Sequence, residues 1–213
     1  MTDHPRVDPE RVRAWLAARS VARGLPLPVE DRGGFRVDTN SADEVKRWVF
    51  PSMGTGLKDL ARAIARPGYF LKLCGDADEL LSALPPGWRI HPPGYLMQAG
   101  GTHGRPALAG GYRFEVATAG GVTKVLVFAS TGELAASGYA AQTSEVFIYD
   151  RIVTDAGHRR RGLGRFVMAT LRLARRDMAV PELLVATEDG RALYAALGWR
   201  VLSPYSTASI AAP

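Results

Sequence analysis

The stretch Val146 to Met168 constrains the fold of this chain more than any other: the apolar run VFIYDRIV passes through a short turn into HRRRGLGR and then into a helical pattern. A strand that feeds through a glycine turn into a helix leaves the first backbone N–H groups of that helix unpaired, at the positive end of its dipole. Gly162 and Gly164 carry no Cβ, so a diphosphate can approach those amides closely, and Arg159, Arg160, Arg161 and Arg165 place cationic side chains around it. The pattern predicts a site for a phosphate-bearing cofactor.

The flanks fix the surroundings of that turn. Strand-like segments Tyr112 to Thr118, Thr123 to Ala129, Leu134 to Ala141 and Glu145 to Val153 are joined by AGG, STG and QTS. Connections this short require an antiparallel meander, because a parallel crossover needs about a dozen residues or more. Downstream, a helix from Gly164 to Met178 and a strand from Glu182 to Ala186 make a parallel crossover. Thr187 caps a further helix, Glu188 to Leu197, Gly198 stops it, and WRVLS opens a last strand.

The first half has patterning without a motif. Asp8-Pro9-Glu10 starts a helix that Gly24 ends, and FRVDT is a short strand. Val45, Trp48 and Val49 predict a second helix from Ala42 to Phe50, and GLKDLARAIA a third. Tyr69 to Leu73 reads as a strand, Asp76 to Leu84 as a helix, and Trp88 to Met97 as an irregular extended piece. The glycine-dense segment around residues 98 to 111 is expected to be a loop dividing an N-terminal helix-rich α/β lobe, 1–108, from a second domain, 109–213. No internal repeat is visible.

Composition excludes several classes. The single Cys74 rules out an internal disulfide framework, and with four scattered histidines it argues against a metal site; His91 and His103 read as loop residues. No run of 18 apolar residues occurs, and MTDHPRVDPE lacks the apolar core of a signal peptide, so a cytoplasmic chain with no membrane association is expected. The net charge of +6 raises nucleic acid as a partner, but the basic residues cluster only between Arg159 and Arg176, with no aromatic interleaving beyond Phe166.

Arg159-Arg160-Arg161-Gly162-Leu163-Gly164 fits R/Q-x-x-G-x-G/A, and YAALGW follows ~30 residues later, beyond a helix and a strand. Together these resemble the acetyl-CoA pyrophosphate loop and the downstream Y-x-x-x-G-F motif of the GNAT superfamily of N-acyltransferases, over roughly residues 112 to 203. The resemblance implies an α/β (α+β) fold with a mixed, mostly antiparallel sheet flanked by helices, and transfer of an acetyl group from acetyl-CoA to a primary amine by direct attack. It implies that Ile152, Val153 and Thr154 hold the acyl carbonyl and pantetheine arm, with Val153 N–H as oxyanion donor. Arg159, Arg160, Arg161, Gly162, Leu163, Gly164 and Arg165 would hold the pyrophosphate, and Tyr194 would protonate the departing thiolate.

The general base is left open between Glu145 and Asp150, which lie at opposite parity on the strand before the loop; either also reads as a solvated or structural residue. The family's proline after this strand is absent from Thr154-Asp155-Ala156-Gly157-His158. Only SPYSTASIAAP follows WRVLS, so the closing hairpin is expected to be short or to be completed by another chain, which would make a homodimer through the C-terminal strand. A dinucleotide fold is disfavoured because the third glycine of G-x-G-x-x-G is missing. The acceptor, a small molecule or a peptide, is not legible. The non-enzymatic alternative is an acyl-CoA-binding regulator.

Overall fold

The computed structural model describes residues 7–100 and 107–211; His103 and the centre of the glycine-dense segment lie outside them. Helix α1 (Pro9–Arg23) starts as the sequence requires: the Asp8 carboxylate accepts from Glu10 N–H at 3.0 Å, and Gly24, at φ 61°, closes the helix in the left-handed conformation. Strands β1 (Val29–Asp31) and β2 (Gly34–Asp38) form a hairpin, to which β3 (Lys46–Phe50) adds antiparallel. This corrects the helix expected from Ala42 to Phe50. A short continuous apolar run does not distinguish helix from strand by period, and here Arg47, Trp48, Val49 and Phe50 are all buried in a strand covered on both faces.

Helix α2 (Thr55–Ala63) carries the chain across to β4 (Tyr69–Leu73), parallel to β3. Helix α3 (Ala77–Leu81) is capped by Asp76, which accepts from Glu79 N–H at 2.7 Å. It is shorter than expected, tightening into i→i+3 bonds at Ala83 and Leu84 ahead of Pro85-Pro86. The extended piece resolves into β5 (Trp88–Ile90) and β6 (Gly94–Ala99). The expected meander follows as β7 (Tyr112–Ala119), β8 (Val122–Ala129), β9 (Leu134–Gln142) and β10 (Phe147–Thr154), then α4 (Leu163–Arg172), β11 (Glu182–Thr187), α5 (Glu188–Ala196) and β12 (Trp199–Ile210). Helix α4 ends six residues before Met178 because Arg175 turns inward: its guanidinium donates to Glu182, Met178 O and Val180 O.

One mixed sheet results, in the order β1-β2-β3-β4-β12-β6-β11-β10-β9-β8-β7, with β5 against β12; only β3/β4 and β10/β11 are parallel. The run β2-β3-α2-β4-α3 repeats the order of β9-β10-α4-β11-α5, a repeat of topology that the sequence does not display. The two halves exchange closing strands: β6 pairs with β11, while β12 pairs with β6 along Trp199 to Tyr205 and with β4 and β5 from Ser206 onward. Strand β12 is thus paired on both sides by strands of the first half of this chain.

Helix α1 lies over one face of both halves, where Val12, Trp15 and Leu16 share a core with Val49, Leu96, Ile148, Leu183 and Tyr205. On the other face, α4 and α5 cover the second half and α2 and α3 the first. The boundary expected near residue 108 falls between β6 and β7, and both the sheet and the core under α1 run across it. Among the described residues no helix is long and apolar enough to cross a membrane.

Candidate functional site

The parallel strands β10 and β11 are paired only at Phe147↔Glu182 and Ile148↔Leu183, although β10 continues to Thr154 and β11 to Thr187. Beyond Ile148 they part, and a V-shaped opening forms in the middle of the sheet. Its closed end is pinned by a buried network: Glu182 accepts from Tyr149 Oη, from Arg172 Nε at 3.1 Å and from Arg175 Nη1 at 2.5 Å. By contrast β3 and β4 stay in register over their whole length, so the first half has no such opening.

The divergence has a local cause. Between Asp150 and Val153 the register of β10 against β9 slips by one residue, and Arg151 there adopts φ 52°. A bulge of this kind bends its strand and exchanges which backbone groups point to which side. Before it, Thr143 N–H donates to Val146 O and Phe147 N–H to Pro181 O; after it, Asp155 N–H donates to Ala135 O at 2.9 Å. Alternation along the ladder then turns Val153 N–H toward β9, and Ile152 and Thr154 N–H toward the opening. Val153, where the oxyanion donor is expected from the sequence, thus lies just beyond the bulge, where the parity is reversed. The Ile152 side chain packs under α4, where Gly138 makes room: a Cβ on Gly138 would lie 2.5 Å from Ile152 Cδ1 and 2.6 Å from Val167 Cγ1.

The wide end of the V faces the start of α4. Gly162 is its N-cap at φ 76°, no side chain caps the helix, and Arg160 is also left-handed at φ 62°. The turn thus leaves the amides of Leu163, Gly164 and Arg165 without a side-chain cap, at the positive end of the helix dipole. Gly164 serves another purpose: a Cβ there would sit 3.2 Å from Leu193 Cδ2, so it permits the contact of α4 with α5. Arg159, Arg160 and Arg165 are exposed and, among the described residues, not ion-paired, while Arg161 donates to Tyr112 Oη at 3.0 Å. Tyr112 also bonds His158 Nδ1 at 2.9 Å, fixing the turn. Glu133, Asp155 and His158 each bring one ligand atom within 4.8 Å of the others, beside this turn.

Tyr194 lies on α5 over the same face, 6% exposed, with its ring 5.9 Å from that of Trp199, which in turn is 5.5 Å from Tyr149. Burial pushes its phenol pKa up. The two carboxylates considered as bases are elsewhere engaged. Glu145 lies in the turn before β10, bonded to Arg13 of α1 at 2.5 Å, at the far end of the strand from the bulge. Asp150 is clamped by Arg23 at 2.7 and 2.8 Å, with Arg19 and Arg151 nearby. Burial opposes its ionisation, but the Arg23 hydrogen bonds and the three guanidinium charges hold its carboxyl below the usual range. Both face α1 despite their opposite parity, because Glu145 precedes the regular strand. The strand glycine at 138 was the available signal for the bulge, since glycine inside a strand marks a close approach.

No family model matches the chain, and no curated protein does. Solved structures do. A GCN5-related N-acetyltransferase from Kribbella flavida superposes with TM-score 0.64 at 16% identity, covering 96% of each chain. A GCN5-related N-acetyltransferase-like protein from Streptococcus suis gives 0.62 at 12%, covering 94% of this chain and 97% of that one. A tandem GNAT protein from the clavulanic acid biosynthesis pathway gives 0.53 at 16%, covering 84% and 79%. At these identities the likeness is one of fold.

Proposed function

We propose that this chain, which has the GNAT fold, moves an acetyl group from acetyl-CoA to a primary amine in a ternary complex. The observation that carries the proposal is the opening between β10 and β11 set against the uncapped, glycine-led start of α4. Acetyl-CoA supplies an activated thioester. The amides from Arg160 to Arg165, with the exposed arginines, would hold its pyrophosphate, and the free edges of β10 and β11 would hold its pantetheine amides. As the amine nitrogen bonds to the thioester carbon, Ile152 or Thr154 N–H would donate to the oxygen on which charge develops.

When the carbon–sulfur bond breaks, Tyr194 Oη would donate to the sulfur. A phenol whose pKa is raised keeps its proton at every physiological pH, but full transfer to a thiolate with a solution pKa near ~8.5 is uphill. Tyr194 therefore acts as a hydrogen-bond donor, and the proton lost by the amine, carried away through water, neutralises the sulfur. Asp150 and Glu145 take no proton in this scheme.

Thiol release measured over a panel of amines tests the proposal, with Tyr194→Phe expected to lower kcat by about 10- to 100-fold while acetyl-CoA affinity stays unchanged. Tight CoA binding without turnover on any amine would favour the acyl-CoA-binding regulator.

A further inference from the structure

Between α1 and the sheet, beside the strand that leads to the opening, lies a buried polar cluster whose charges do not balance. Alternation places Arg47 with Val49 on the α1 side of β3, and Phe70 and Lys72 on the same side of β4, since Leu71 and Leu73 face α2 and α3. Tyr205 of β12 completes the floor, its ring 5.6 Å from that of Trp15, and Arg19 covers it from α1, stacked 5.6 Å from Trp15.

Four cations, Arg19, Arg23, Arg47 and Lys72, meet two carboxylates here, Glu44 and Asp150. Asp150 is already taken by Arg23, and Glu44 is bonded to Arg47 at 2.6 Å. Among the described residues no carboxylate lies within ion-pair distance of Lys72. Arg47 is 3% and Tyr205 6% exposed, and Arg47 Nε, Tyr205 Oη and Arg19 Nη1 are buried without a hydrogen-bond partner. Glu44 Oε1 is likewise unpartnered. Burial, with the fields of Arg19, Arg47 and Arg23 against that of Glu44, holds the Lys72 ammonium down at about 7. Buried donors and cations left in this condition are costly, and an anion that accepts from several of them at once relieves the cost.

We propose that this cluster binds a carboxylate or phosphate group of the amine acceptor, held by Arg47, Lys72, Tyr205 and Arg19. The inference rests on the acyl-transfer reading for the word acceptor, but not for anion binding itself. Asp150 borders the cluster through Arg19 and Arg23 and immediately precedes the bulge, so an acceptor anchored here by its anion approaches the opening from the α1 face, opposite α4 and α5. The substrate class is then an amine that also carries an oxyanion, and the net positive cluster selects against polyamines.

Calorimetric titration of the full chain with succinate and with inorganic phosphate tests this. With CoA present at saturation to occupy the start of α4, at least one of them is expected to bind the wild-type chain, and about tenfold or more weaker to Lys72→Met. The anion that binds tighter identifies the source. Tyr205→Phe, which loses one hydroxyl, is the second variant, also expected to bind more weakly. Absence of binding to the wild-type chain, or unchanged affinity in both Lys72→Met and Tyr205→Phe, would overturn the proposal. CoA affinity in the same variants reports on the acyl-transfer reading separately: it is expected to survive Lys72→Met and to fall in Gly162→Ala.

Discussion

Replacing Gly162 by alanine isolates what the helix start contributes. At φ 76° a Cβ on this residue would meet nothing within 4 Å, so the substitution introduces torsional strain and no clash. An L-residue in the left-handed region costs roughly 1–2 kcal/mol. Because the surrounding space is open, the ligand-free loop can escape that strain by turning Gly162→Ala out of the left-handed region, at little expense to the fold. On the proposed reading the pyrophosphate needs the original geometry, so the strain reappears on binding. The affinity for CoA is then expected to fall by about 5- to 30-fold, while Tm falls by no more than a few degrees, given about 2–4 °C per kcal/mol for a chain of this size. Titration calorimetry and a thermal melt measure the two quantities. Affinity within twofold of wild type would refute the placement of the phosphates at α4.

Three further substitutions have outcomes that follow from particular residues. In Gly138→Ala the new methyl would meet Ile152 and Val167 at 2.5 and 2.6 Å, so a loss of about 1–3 kcal/mol in denaturant titration is expected together with reduced thiol release, because Ile152 is displaced at the bulge. Asp150→Asn leaves Arg23 and Arg19 without their buried anion and should destabilise by about 2–4 kcal/mol. Since the folded carboxyl is depressed, its contribution is present above the unfolded value near ~3.9 and lost as pH falls through the lower folded one. The gap between Asp150→Asn and wild type is therefore expected to be constant from pH 5 to 8 in a stability titration, and the rate profile should show no limb from this residue. Lys72 behaves oppositely: its folded value, about 7 against 10.5, penalises the fold fully below pH 7, and the penalty fades as pH rises toward 10.5. Its size, ~5 kcal/mol at most, falls to roughly 2 kcal/mol by about pH 9, so the stability advantage of Lys72→Met should shrink on that schedule in melts from pH 6 to 9. Arg19, Arg23, Arg47, Glu44, Tyr205 and His91 are the charged and titratable groups around it, and Arg19, itself lowered to about 10 by burial, stays cationic across that range.

Much of the second half could be read in advance because its information is local. Short turns force β7 to β10 into a meander, Thr187 and Gly198 bracket α5, and Gly162 before an apolar-periodic run marks a helix start with free amides. Where the reading failed, local signals competed. RWVF satisfies helix and strand spacing alike, and its neighbours β2 and β4 decide between them by burying both of its faces. The helix expected to reach Met178 stops at Arg172 because Glu182, distant in sequence, draws Arg175 inward.

The sequence by itself determined the elements of the candidate loop: a strand, two glycines, a cluster of arginines and a downstream tyrosine. Only the tertiary structure decided what surrounds them. The bulge at Arg151 changes which backbone groups beyond it face the opening, a change of parity that depends on how β10 registers against β9. The carboxylates that looked available as bases are bound by α1, which precedes them by more than a hundred residues. The exchange of closing strands and the unbalanced cluster of charges under α1 arise from pairings between the two halves, and no local pattern encodes such pairings, because each depends on which surfaces remain uncovered once the elements have formed.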